Sequence, residues 1–130
     1  MFDSFLNIKC DTVGNCFRLS KRDSWDSKDL VRKMFKTEWG RNILKGISLN
    51  EFSCEGFMYE GLQRELGVKK GKTYDASVLW YAGYLYKYLC EKSNCSIEEI
   101  YTKAPIDLLD KRYGFYHTQD WDYVKQDLNL

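Results

Sequence analysis

The chain is 130 residues long, the size of one domain, and 44% hydrophobic, with aromatics at 16% and a single proline. Twenty Lys and Arg balance nineteen Asp and Glu. These numbers exclude a disordered or low-complexity chain, a domain that needs disulfides or metal to hold a core, and a dedicated polybasic nucleic-acid binder. No apolar run approaches the roughly 20 residues of a membrane span. The opening MFDSFLNIKC lacks a basic segment followed by an apolar stretch, so it does not read as a secretory signal. The expectation is a single cytoplasmic domain, residues 1–130, with a mildly basic part (1–72) and a mildly acidic part (73–130).

Taken in chain order, the least helical stretch is NIKCDTVGNCFRLSKRDS. Val13-Gly14-Asn15 reads as a turn, closing a short hairpin or lying in an irregular loop. A helix then begins at Asp26 as N-cap, with Asp29 in its first turn and Trp25 and Leu30 at the spacing of a hydrophobic staple. Leu30, Val31, Met34, Phe35, Trp39, Ile43 and Leu44 recur at helical intervals. Gly40 predicts a bend or a split there, with an end at Gly46. From Leu49 or Asn50 a further helix carries Phe52, Phe57, Met58, Leu62 and Leu66, stopped by Gly67. GVKKGK, 67–72, reads as an exposed connector.

The strongest element is YDASVLWYAGYLYKYLCEK, 74–92, apolar almost all round and so predicted to be a central, buried helix. Ala82-Gly83 leaves a bare patch where another helix can approach. Ser96 and Glu99 fit a capping box for a short helix ending near Lys103. Pro105 suits the first turn of the next, which is expected to end at Gly114. Thr118 is the expected cap of a last helix with Asp120 and Asp122 in its first turn. The fold class is all-α, with five to seven helices around 74–92 and at most one short N-terminal hairpin.

The run LWYAGYLYKYL (79–89), SIEEIYTKAP (96–105) and YGFYHTQDWDYVKQDL (113–128) resembles a group of small bacterial helical proteins without an assigned reaction. Its shortest members are largely the last segment: a tyrosine, then His-Thr, then a helix ending in an acidic residue and leucine. Tyr113, His117, Thr118, Asp127 and Leu128 match that pattern. GNCFRL (14–19), RDSW (22–25) and NEFSCEGFMYEGLQRELG (50–67) are similar to segments of longer relatives. Some members are encoded beside toxins that resemble ADP-ribosyltransferases and act as antitoxins. The resemblance over 78–128 therefore implies a helical protein that binds and restrains another protein, a toxin or a defence enzyme. This chain carries some 75 residues that the short members lack.

RYGFYHTQDWDYV, 112–124, holds five aromatic rings and the single histidine. Arg, Tyr and Trp dominate interface hot spots, so Arg112, Tyr113, Tyr116, His117 and Trp121 are the candidate partner-binding residues. His117 is also the natural general base. The plainer reading places its imidazole just before a helix, bonded to a carbonyl of the preceding turn and wedged between rings. Cys90, Cys95, Asp110 and Asp120 are all eligible to act with it in a small enzyme, and the spacing selects none of them. Lys28, Arg32, Lys33, Lys36 and Arg41 recur at helical spacing, giving either a solvated face or a nucleic-acid contact, as in a mobile-element regulator or an inhibitor of a defence nuclease. Cys10, Cys16, Cys54, Cys90 and Cys95 form no Cys-x-x-Cys pair, so no metal site and no cofactor is expected. No phosphate-loop, dinucleotide or zinc-protease motif is present. The preferred function is non-enzymatic protein binding, antitoxin-like or inhibitor-like, with a homodimer open as a further partner.

Overall fold

The computed structural model describes residues 4–46 and 55–130. Eight helices occur among these residues: α1 Ser4–Arg22, α2 Ser27–Lys36, α3 Glu38–Leu44, α4 Glu55–Leu66, α5 Ala76–Lys92, α6 Ile97–Lys103, α7 Ile106–Tyr116 and α8 Trp121–Asp127. The only β-type pairing among them is an isolated antiparallel bridge between Trp25 and Lys70. The fold is all-α, and none of the described helices is long and apolar enough to cross a membrane.

Helix α5 is the predicted central rod. Every residue from Tyr81 to Cys90 is buried. Its main partner is α1, which replaces the expected hairpin or loop with one unbroken helix. Leu6, Cys10, Val13, Phe17 and Ser20 are all buried on α1, a helical stripe that Gly14-Asn15 disguises as a turn. Gly14 is there for space. A Cβ on it would fall 2.8 Å from the Trp80 carbonyl oxygen, and a Cβ on Gly83 would fall 2.8 Å from that of Val13. Two glycines at one crossing let the backbones approach closely, each at a helix-propensity cost of about 1 kcal/mol. Polar bonds fix the pair in register: Tyr84 to Asn7 (2.6 Å), Trp80 Nε1 to Asp11 (3.1 Å) and Lys9 to Glu91 (3.0 Å).

The break between α2 and α3 lies at Thr37, not at Gly40. Thr37 is extended, its hydroxyl donates to the Lys33 carbonyl, and its oxygen accepts the Gly40 N–H, so one residue ends α2 and caps α3. Gly40 is needed because a Cβ would lie 2.5 Å from the Met34 carbonyl oxygen. Gly46, at φ +95°, follows the end of α3. The proposed start of α4 at Leu49 or Asn50, Phe52 and Cys54 lie outside the described residues. Gly67, at φ +59°, follows α4 as expected. The α4 stripe holds at Met58, Leu62 and Leu66, but Phe57 is 67% exposed and does not belong to it.

Lys87 sits wholly inside the rod. Its ammonium donates to the carbonyls of Ile43 (2.8 Å) and Leu44 (3.0 Å) and pairs with Glu91 (2.9 Å). The last carbonyls of α3 have no partner within that helix, and the lysine satisfies them. Burial pushes its pKa down, with Glu91 opposing. Asp26 caps α2 and Ser96 caps α6 as predicted, each accepting the N–H three residues on. Helix α7 continues through Gly114 to Tyr116. Asp120, rather than Thr118, caps α8 by accepting the Tyr123 N–H at 2.8 Å. Thr118 instead donates to the Phe115 carbonyl. Carboxylate and threonine both make good caps, but the two turn residues after α7 shift the start of α8 beyond Thr118's reach.

Candidate functional site

The α7–α8 corner gathers all five residues that composition singled out, and most of them are turned to internal work. Trp121 lies over α5, stacked on Tyr84 (4.2 Å between centroids, 16°) and beside Tyr81 (4.9 Å). Tyr113 meets Tyr81 edge-on at 5.6 Å. Tyr116 is fully buried, and its hydroxyl donates to the Asp127 carboxylate at 2.5 Å. Arg112 donates to the Tyr116 oxygen (2.8 Å) and reaches Asp127 (3.4 Å). This three-membered lock ties the end of α8 to α7. Burial, then Asp127, raises the Tyr116 pKa, so the phenol keeps the proton it donates.

His117 is exposed. Its Nδ1 lies 2.6 Å from the Tyr113 carbonyl, and its ring stacks on that of Tyr113 (4.7 Å, 13°). A carbonyl only accepts, so Nδ1 carries the proton and the neutral ring has its lone pair on Nε2. Cys90, Cys10 and Cys16 are buried, and burial pushes each thiol up to about 12. They hold their protons at neutral pH and are not thiolate nucleophiles. Cys95 is half-buried beside the start of α6. Among the described residues no three His, Cys, Asp or Glu side chains are grouped to hold a metal.

What the corner presents outward is a pair the sequence reading passed over. Phe115 is 53% exposed and Tyr123 42%, with rings 6.0 Å apart and nearly perpendicular (76°). The signal was available. Ile106, Leu109 and Tyr116 define the inward face of α7, and position 115 falls away from it.

The five cations of the first part do not form an unopposed basic stripe. Lys28 pairs with Asp107 (3.1 Å) and Arg41 with Glu98 (3.0 Å). Arg32 (2.7 Å) and Lys33 (3.2 Å) both hold Asp29. Lys33 also reaches the Gly67 carbonyl, and Lys36 lies over the Tyr101 ring at 5.0 Å. Asp29 is buried, which opposes its charge. The Lys69 N–H, Arg32 and Lys33 outweigh that and hold its pKa at about 2. The chain matches no protein-family model, no curated protein and no solved structure.

Proposed function

We propose that this chain is a protein-binding module without chemistry of its own, one that seats on another protein and restrains it, antitoxin-like or inhibitor-like. The observation that carries this reading is the exposed Phe115–Tyr123 pair on a corner locked from behind by Tyr116, Asp127 and Arg112. Two rings carried on helices tied together beforehand lose less backbone entropy on binding, and aromatic side chains bring large contact area at few rotatable bonds. The use of His117 inside its own turn and the raised thiol pKa values support a non-catalytic role. The resemblance of 78–128 to antitoxin-like proteins points to a toxin or defence enzyme as the partner. Its matching residues Tyr113, His117, Thr118, Asp127 and Leu128 all lie in, between or at the end of α7 and α8 at this corner.

The test is affinity capture from the native host with wild type and with Phe115→Ala/Tyr123→Ala. Both rings are exposed, so folding stability is expected to stay within about 1 kcal/mol for the double variant. Wild type is expected to retain a stoichiometric protein and the variant to lose it by about tenfold or more. Equal retention by the two proteins removes the corner from the interface.

A further inference from the structure

Helices α3 and α4 leave a hollow of about 140 Å³ between them. Trp39, Ile43, Phe57 and Met58 give it apolar walls, and Asn42 and Arg64 add polar groups. Gly61 makes its shape possible. A Cβ there would fall 2.5 Å from the Trp39 ring, so the indole lies close against the α4 backbone. An apolar cavity of about 150 Å³ takes one benzene ring, so this hollow has room for a single aromatic side chain.

The same face carries a ring without cover. Phe57 is the most exposed large apolar side chain among the described residues. Phe57, Glu60 and Arg64 follow at i, i+3 and i+7, so they stand on one ridge of α4. Glu60 and Arg64 have the spacing of an ion pair, yet they do not make one. Arg64 bonds Glu65 through Nε at 3.3 Å, and Glu60 has no ion-pair partner among the described residues. One face thus holds a projecting ring, a hollow for one ring, and two opposite charges a turn apart that leave each other unpaired. A foreign partner has to bring the complement of each. A second copy of this chain brings all of them.

We propose that the α3–α4 face pairs with a second copy of the chain. The two-fold axis lies in the interface and crosses α4 at right angles between Glu60 and Gly61. It reverses the helix, so Phe57 of each copy falls opposite Arg64 of the other, and Glu60 of each lies within a turn of that same Arg64. Each Phe57 ring enters the other copy's hollow against Trp39 and beneath the Arg64 guanidinium, a cation–π contact. Each Glu60 gains the ion pair it lacks within its own chain. Two-fold symmetry makes every contact twice, which is how a patch holding both a knob and its hole becomes an interface. The inference uses α3 and α4 and does not depend on the protein-binding reading, which rests on the α7–α8 corner.

The experiment is sedimentation equilibrium of the intact chain across a concentration series. Wild type is expected to dimerise with a dissociation constant on the order of 10–100 µM, as suits a small interface. Phe57→Ala should weaken the dimer by about tenfold or more. Arg64→Glu sets like charges against each other across the axis and should weaken it about as much. Glu60→Arg/Arg64→Glu re-forms the pair in the opposite sense and should return the affinity to within about threefold of wild type. Phe57, Glu60 and Arg64 are all exposed, so these variants are expected to keep the fold, which circular dichroism checks. Phe115→Ala/Tyr123→Ala should dimerise as wild type does. A chain that stays monomeric up to about 1 mM overturns the proposal. So does a dimer indifferent to Phe57→Ala, a loss in Arg64→Glu that the double charge variant fails to recover, or a dimer lost on the corner variant.

Discussion

The α1–α5 spine and the α7–α8 corner are built from similar residues and hold together in different ways. At the spine, specificity comes from absence: Gly14 and Gly83 let two backbones meet, and any added atom strikes main chain. At the corner it comes from directed groups: a buried phenol on a carboxylate, an imidazole on a carbonyl, an indole stacked on a tyrosine. Packing by exclusion leaves nothing over for a partner. Packing by directed bonds locks the corner's inner face while Phe115 and Tyr123 stay outside. The difference shows how one chain rich in aromatics can spend most of its rings on the core and still present a pair.

Glycine substitution breaks this comparison most sharply. Gly83→Ala places a Cβ 2.8 Å from the Val13 carbonyl oxygen and 2.9 Å from the Gly14 Cα, both main chain with no flexible end to yield. A loss of about 3 kcal/mol is expected, read by chemical denaturation. Gly114→Ala in α7 is the counterpart. A Cβ there meets nothing within 4 Å, so the variant should gain about 0.5–1 kcal/mol from helix propensity. If both variants lose stability alike, the exclusion argument for the spine fails.

Asp29, at the joint between α2 and the 67–72 connector, sets the next scale. Its folded pKa of about 2 lies below the unfolded value, so its contribution is fully present above about pH 4 and is lost as pH falls toward 2. That contribution is about 2 kcal/mol. Denaturation of wild type and Asp29→Asn should differ at neutral pH by roughly this amount and converge in acid. A difference that persists at pH 2 assigns the effect to packing instead of charge.

The corner's directed bonds predict smaller changes. Tyr116→Phe removes a buried donor from Asp127 and an acceptor from Arg112, and should cost about 1–2 kcal/mol. Tyr81→Phe sharpens the point from the other side. Its hydroxyl is the one buried side-chain polar atom among the described residues with no hydrogen-bond partner, so its removal should be neutral or slightly stabilising. A loss equal to that of Tyr116→Phe would reveal a partner for Tyr81, such as a buried water.

Elements with a strong periodic signal were legible in the chain. The apolar rod of α5, the caps Asp26 and Ser96, and the stop at Gly67 follow from local rules that hold wherever the helix sits. What went unread were positions whose meaning depends on a distant neighbour. Gly14 looks like a turn until Trp80 and Gly83 are opposite it. Thr37, not Gly40, divides α2 from α3 because its hydroxyl reaches one helix and its oxygen the other. Lys87 is a charge in an otherwise apolar run, and only the fold shows it inside the core, satisfying the α3 carbonyls. The cluster at 112–124 was visible as composition, and rings beside caps usually pack inward, as Tyr116 and Trp121 do, but the outward pair Phe115 and Tyr123 was not taken from it.

By itself, then, the sequence determined the helical class, a buried central helix and a dense aromatic corner, because burial and capping act over a few residues along one chain. The tertiary structure alone decided that the N-terminal stretch is a helix paired with α5. It also decided that Tyr116 and Trp121 turn inward while Phe115 and Tyr123 face out, and that the α2 cations Lys28, Arg32 and Lys33 are met by carboxylates. Each of these depends on which surfaces are brought together, and hydrophobic burial, steric exclusion and charge pairing between distant segments act only once they have been.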